Sequence, residues 1–111
     1  MKCSFAGRYW EFSKRDGDPS IREFFSDEKR PNQNEIVWYL KNGKVNLVSP
    51  GWTYDVVTGK KIPGTPRTLC DREYEWPSDL VYYVEKYNLR LPDDFEDHIL
   101  RALRRRKMVS A

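Results

Sequence analysis

The chain has few of the residues that enzymes use for acid–base and metal chemistry. Its 111 residues include one histidine, His98, and two cysteines, Cys3 and Cys70. A metal site needs three or four converging ligands, and no such pattern is visible. The glycines form neither G-x-G-x-x-G nor G-x-x-x-x-G-K, which excludes the phosphate loops that these motifs build. We therefore predict no cofactor, no metal site and no catalytic residues.

Long apolar runs are missing as well. No stretch approaches the ~18 uninterrupted apolar residues that cross a bilayer, so no membrane partner is expected. Met1 and Lys2 are followed by mixed polar and aromatic residues, without the apolar run of a secretory leader. We accordingly expect a cytoplasmic protein in which both thiols stay reduced.

Aromatic residues are abundant instead. Four tryptophans, seven tyrosines and five phenylalanines make up 14% of the chain. A few such rings fill a small core, because each can bury roughly 150–250 Å². The length suits one domain, residues 1–111, with one hydrophobic core. Rings in excess of that core are expected at the surface, where tyrosine and tryptophan suit protein interfaces.

The positive charge is concentrated at one end. The net charge is +3, but outside the last basic run 15 basic residues face 17 acidic ones, which leaves −2. This run is the alternative functional site, a nucleic-acid interface at a helix end. The same cations would also complement the dipole of that helix. The run consists of Arg101, Arg104, Arg105, Arg106 and Lys107.

Local patterns predict an α+β domain. A small antiparallel meander of three to four strands should be covered by C-terminal helices, because its one buried face needs a partner layer. We predict strands at 5–14, 44–48, 52–57, 67–70 and 73–76, helices at about 19–26, 79–87 and 93–107, and fraying at 108–111.

Residues 35–43 support two interpretations. Asn32 followed by Glu35 matches a capping box, and Gly43 matches a helix stop, which together indicate a helix. Asn42-Gly43 between two β-forming runs is also a two-residue hairpin turn. We favour the helix, because its start and stop signals agree, and keep the hairpin as the alternative.

The segment from Asp71 to Ile99 carries E-Y-E-W-P-S-D-L-V-Y-Y-V-E-K-Y and then L-P-D-D-F. It resembles the C-terminal half of small bacterial proteins of uncharacterised function. The resemblance covers about a quarter of the chain. It implies a bacterial or mobile-element origin and no particular activity.

Two residues remain as candidates for chemistry. His98 lies among Asp94, Asp97 and Arg101 on the predicted last helix, either as a general base oriented by a carboxylate or as an ordinary, partly exposed helix residue. Cys70 is either a nucleophile, if folding brings a histidine to it, or a small apolar residue. A small enzyme using Cys70 or His98 is therefore a further alternative.

The function that we predict from these observations is binding rather than catalysis. A rigid scaffold with surplus rings and peripheral charge suits a non-enzymatic intracellular protein that contacts another protein, as an inhibitor, a toxin-neutralising protein or an adaptor. The candidate contact residues are Trp52, Tyr74 and Tyr82.

Overall fold

The computed structural model describes residues 3–110, with side chains as far as residue 106. Within that part of the chain the fold is α+β, as predicted. The strands are β1 (Ser4–Phe5), β2 (Lys44–Val48), β3 (Arg67–Cys70) and β4 (Tyr74–Pro77). The helices are α1 (Trp10–Ser13), α2 (Gln33–Lys41), α3 (Asp79–Tyr87) and α4 (Asp93–Ser110), with one 3-10 turn at Ile21–Phe24.

The sheet has the order β1-β4-β3-β2 and is mixed, which corrects the prediction of a purely antiparallel meander. β4 pairs antiparallel with β3, and β3 with β2, but β1 runs parallel to β4. The N–H of Ser4 donates to the carbonyl of Glu73, and that of Ala6 to Glu75, both at 2.8 Å. This pairing joins residues about 70 positions apart, so no local turn signal in the sequence could predict it.

The predicted strand at 52–57 is a loop with a single bridge between Tyr54 and Lys61. The reason is Asp55, whose carboxylate accepts hydrogen bonds from the backbone N–H groups of Val57 at 2.7 Å and Thr58 at 3.1 Å. A carboxylate that bonds its own following backbone makes a turn, and this outweighs the β-forming character of the flanking residues.

The N-terminal region also differs from its prediction. The strand expected at 5–14 ends at Phe5, and Trp10–Ser13 forms the short helix α1. The helix expected at 19–26 is reduced to the 3-10 turn, which begins one residue after Ser20. Ser20 is the N-cap residue and forms a reciprocal capping box with Glu23 there.

Helix α2 confirms the helical interpretation of residues 35–43. Asn32 occupies the N-cap position but makes no side-chain capping hydrogen bond, so the predicted box does not form. Gly43 follows the helix at a position that has no room for a side chain, because a Cβ there would lie 2.6 Å from the ring of Trp76. The indole N–H of Trp76 donates to the carbonyl of Leu40 at 3.1 Å, which joins β4 to α2.

One hydrophobic core lies between the sheet and the helices α2, α3 and α4. Its largest fully buried side chains are Trp76, Tyr83 and Phe95. Helix α3 has the predicted bounds, and α4 continues to Ser110, beyond the predicted end at 107. Ala111 lies outside the described residues, and fraying at 108–111 stays a prediction. No helix within residues 3–110 is long and apolar enough to span a membrane.

Candidate functional site

Exposed hydrophobic side chains are concentrated in one stretch of the chain. Among the side chains that are described, eight large hydrophobic ones are exposed, and six of these fall within residues 45–57. We call residues 45–57 the exposed segment. The other two, Trp10 and Trp38, lie on α1 and α2. The six are Val45, Leu47, Val48, Trp52, Tyr54 and Val57.

The exposed segment begins with β2, which is an edge of the sheet. Every residue of this strand is exposed, and its register against β3 shifts between Val45 and Leu47, so that Asn46 is left without a partner in the register. An edge strand offers a row of backbone N–H and C=O groups to an incoming extended chain. The side chains of Leu47 and Val48 stand beside that row.

The rest of the exposed segment is anchored by Asp55, which is only 1% exposed. The hydroxyls of Tyr82 and Tyr87 each donate to its carboxylate at 2.7 Å, in addition to the backbone N–H groups that form the turn. Burial alone would raise the pKa of this carboxyl. The hydrogen bonds from the two tyrosines and the backbone outweigh burial and hold the pKa well below its ordinary range.

The three predicted contact residues occupy different surroundings. Trp52 is 61% exposed, with the ammonium of Lys61 3.4 Å from its ring centroid. Tyr82 is half-buried and bonded to Asp55, so Trp52 and Tyr82 belong to the same anchored region. Tyr74 is also half-buried but packs against α4, with its ring centroid 4.7 Å from that of His98. Of the three, Trp52 alone presents most of its ring to solvent.

A second feature lies where the turn after β3 meets α4. A cleft of about 470 Å³ is lined by five residues and has a strongly basic wall. Three arginines at spacings i, i+3 and i+4 form that wall, because these spacings share one face of a helix. We call it the arginine cleft, lined by Glu73, His98, Arg101, Arg104 and Arg105.

His98 connects the arginine cleft to the interior. It is 6% exposed, which corrects the expectation of a partly exposed helix residue. Its Nε2 atom lies 2.6 Å from Oδ2 of Asp71, and its Nδ1 atom lies 3.3 Å from a carboxylate oxygen of Glu73. Both ring nitrogens therefore face protein carboxylates, so neither is free to take a proton from a bound molecule unless Glu73 moves away.

Asp71 is the centre of this network. The hydroxyl of Tyr39 donates to the same oxygen that faces His98, and the N–H groups of Glu73 and Tyr74 donate to its other oxygen at 3.1 and 2.9 Å. Burial would raise the pKa of the Asp71 carboxyl, but the hydrogen bonds from Tyr39, the backbone and His98 lower it below its ordinary range. The network joins α2, α4 and the turn between β3 and β4.

Cys70 does not join His98. Leu69 and Trp76 are a directly paired, buried couple, so the next couple, Cys70 and Glu75, points to the opposite face of the sheet. Helix α4, which carries His98, packs on the Trp76 side. Both thiols are free. Within the described residues, no group of three or more His, Cys, Asp or Glu side chains is arranged to hold a metal ion.

The basic run is thus divided. Arg101, Arg104 and Arg105 line the cleft, whereas the guanidinium of Arg106 lies 4.7 Å from the ring centroid of Trp38. The side chain of Lys107 lies outside the described residues. The sequence indicated the run but not its partners, because Asp71 and His98 are 27 positions apart and no local pattern connects them.

No protein-family model matches the chain, and no curated protein or solved structure matches it. The resemblance of the Asp71 to Ile99 segment to small bacterial proteins stays a prediction. The features that bear on function are therefore the two surfaces, the exposed segment and the arginine cleft.

Proposed function

We propose that this chain is a non-enzymatic cytoplasmic protein that binds another protein through the exposed segment, in an inhibitory, toxin-neutralising or adaptor role. One observation carries the proposal: six of the eight exposed large hydrophobic side chains among those described lie in residues 45–57, and this segment starts at a free sheet edge. Apolar side chains that stay exposed to water along and after an edge strand are typical of interaction surfaces.

The edge strand supplies the mode of contact. An extended segment of the partner can add to β2 as a further strand, with main-chain hydrogen bonds providing affinity and side-chain pockets providing specificity. Val45, Leu47 and Val48 are the apolar side chains that would pack against it. The shift of register at Asn46 limits how long such a pairing can be, and this disfavours indiscriminate edge-to-edge aggregation.

Trp52 supplies a larger contact beside the strand. A tryptophan near the centre of an interface often carries much of the binding energy, because its ring displaces water over a large area. The Asp55 anchor holds the loop around it in place before binding. Less conformational entropy is then lost when the partner docks.

The proposal is tested by site-specific photocrosslinking in a lysate of the source organism, followed by affinity measurement with the purified partner. A photoreactive phenylalanine analogue replaces Leu47 in one version and Trp10 in the other. Both positions are exposed hydrophobic residues, but Trp10 lies on α1, outside the segment. We expect one protein to crosslink from position 47 and not from position 10.

With that protein in hand, Leu47→Lys combined with Trp52→Ala should weaken binding by about a hundredfold, which corresponds to the loss of two central contacts. Trp10→Ala should leave the affinity unchanged. Binding that survives the double substitution, or equal crosslinking from both positions, would remove the exposed segment as the interface.

A further inference from the structure

A second surface carries different chemistry. We propose that the arginine cleft binds the phosphate group of a small ligand, such as a phosphomonoester or a nucleotide. The inference is independent of the proposed protein contact, because none of the five residues that line the cleft belongs to the exposed segment.

The charges in the cleft support an anionic ligand. None of the ion pairs formed within the described side chains involves Arg101, Arg104 or Arg105. Three guanidinium groups therefore share one concave wall, and no described carboxylate lies within ion-pair distance of them. The planar fork of N–H donors on each guanidinium matches the oxygens of a phosphate group, and such charge-assisted bonds are among the strongest in proteins.

The opposite wall can adapt to the ligand. Among the described residues that line the cleft, Glu73 alone is acidic, and its side chain is 68% exposed. Its contact with His98 is long, at 3.3 Å. Glu73 can swing into solvent when an anion enters, and the ring of His98, held by Asp71, then faces the anion. The carboxylate of Glu73 is thus the group with which a phosphate would compete.

The size and surroundings of the cleft favour a small ligand over a nucleic-acid strand. Its volume of about 470 Å³ is within the range of small-molecule pockets, roughly 300–1,000 Å³. A strand requires a basic groove that follows several phosphates, often with aromatic platforms between them. Outside the basic run the chain carries more acidic than basic residues, and Arg106 already lies on the ring of Trp38.

The test is calorimetric titration of the full chain with inorganic phosphate, pyrophosphate and AMP, against sodium chloride of equal ionic strength. Arg104→Gln with Arg105→Gln removes two charges from the cleft. The matched control, Arg15→Gln with Arg106→Gln, removes two charges from exposed positions outside it. All four arginines are exposed, so the fold is expected to persist, which circular dichroism checks.

We expect at least one of the three phosphate compounds to bind the native chain, and the cleft variant to lose at least about tenfold in affinity, the effect of one charge-assisted hydrogen bond. The control should stay within about twofold. Glu73→Gln should bind more tightly than the native chain, because it removes the competing negative charge.

Three results would overturn the inference. One is the absence of binding to all three phosphate compounds. Another is an equal loss in the cleft and control variants, which would mean that net charge alone attracts the anion. The third is salt-sensitive binding of a short single-stranded RNA without binding of the small compounds, which would assign the basic run to nucleic acid.

Discussion

Two aspartates of this fold, the buried Asp55 and the half-buried Asp71, use the same local motif in two regions of the molecule. Each carboxylate accepts hydrogen bonds from the backbone N–H groups of the second and third residues that follow it in the chain. Each also accepts a tyrosine hydroxyl from a helix, from α3 at Asp55 and from α2 at Asp71. In both places one aspartate carboxylate binds the backbone of its own turn and a tyrosine of a helix, and so holds the turn against the helical layer.

The two sites differ in the remaining partners. The carboxylate of Asp55 also accepts a hydrogen bond from a second tyrosine, Tyr87, and lies 3.4 Å from the ammonium of Lys86. We call Asp55, Tyr82, Lys86 and Tyr87 the closed cluster, because its members satisfy the charge of Asp55 among themselves. The remaining hydrogen-bond partner of Asp71 is His98, whose other ring nitrogen faces Glu73 at the wall of the arginine cleft. The first site is an anchor only, whereas the second is an anchor that also orients a group in a charged cleft.

The largest effect is expected from Asp55→Ala. The substitution leaves two hydroxyls and two backbone N–H groups without their acceptor and frees the loop that carries Trp52. We expect a loss of about 3 kcal/mol in the free energy of unfolding, the combined cost of several unsatisfied donors. Urea denaturation measures this loss. Asp16→Ala, at an exposed turn, is the control and should change stability by less than about 0.5 kcal/mol.

An Asp55→Ala protein as stable as the control would mean that the cluster contributes nothing to the global free energy of unfolding. If only proteolysis of the 52–62 loop increased, with global stability unchanged, the anchor would be local to the loop.

The elements that the sequence predicted well are those whose signals are local. Helix α3 begins and ends as predicted because its apolar spacing and its capping region lie within a dozen residues. Even there a distant contact takes part: Ser78 is the N-cap residue, but its hydroxyl accepts a hydrogen bond from the N–H of Arg67 at 2.9 Å and makes no capping bond to its own helix. A distant backbone group competes for the same oxygen, and the local pattern does not contain it.

What the sequence could not predict depends on contacts between distant residues. The parallel pairing of β1 with β4 and the contact between Asp71 and His98 both join segments that have no shared pattern. The residues KVNLV were correctly predicted as a strand. The exposure of all five residues follows from the order of strands in the sheet, because β2 lies at an edge and pairs on one side only, with β3.

Both aspartates should contribute to the loss of stability at acid pH. Both carboxyl pKa values are lowered in the folded state relative to their ordinary value of 3.8. A lowered pKa means that the folded state binds the proton less tightly than the unfolded state. The stability that each carboxylate contributes is therefore complete above the unfolded pKa and is lost as the pH falls below it.

We expect Asp55→Asn to flatten the fall in stability below about pH 4 more than Asp71→Asn does, because the Asp55 pKa is shifted further. Urea midpoints between neutral and strongly acidic pH measure the slopes. If the acid limbs of the native chain and of Asp55→Asn are parallel, then Asp55 has no depressed pKa and its hydrogen bonds do not select the charged form.

The smallest effect concerns the coupling between Asp71 and His98. In a double-mutant cycle with Asp71→Asn and His98→Gln, we expect an interaction of about 1–2 kcal/mol in the free energy of unfolding, because their side chains share one short hydrogen bond in a largely buried place. The matched cycle, Asp55→Asn with Tyr82→Phe, measures the coupling between a neutral hydroxyl and a carboxylate in the closed cluster.

Adding Glu73→Gln to the first cycle should change its coupling, since Glu73 contacts the same ring, and should leave the second cycle unaltered. A coupling near zero between Asp71 and His98 would show that the ring is held by packing against Tyr74 and not by the carboxylate, and the orienting role assigned to Asp71 would be lost.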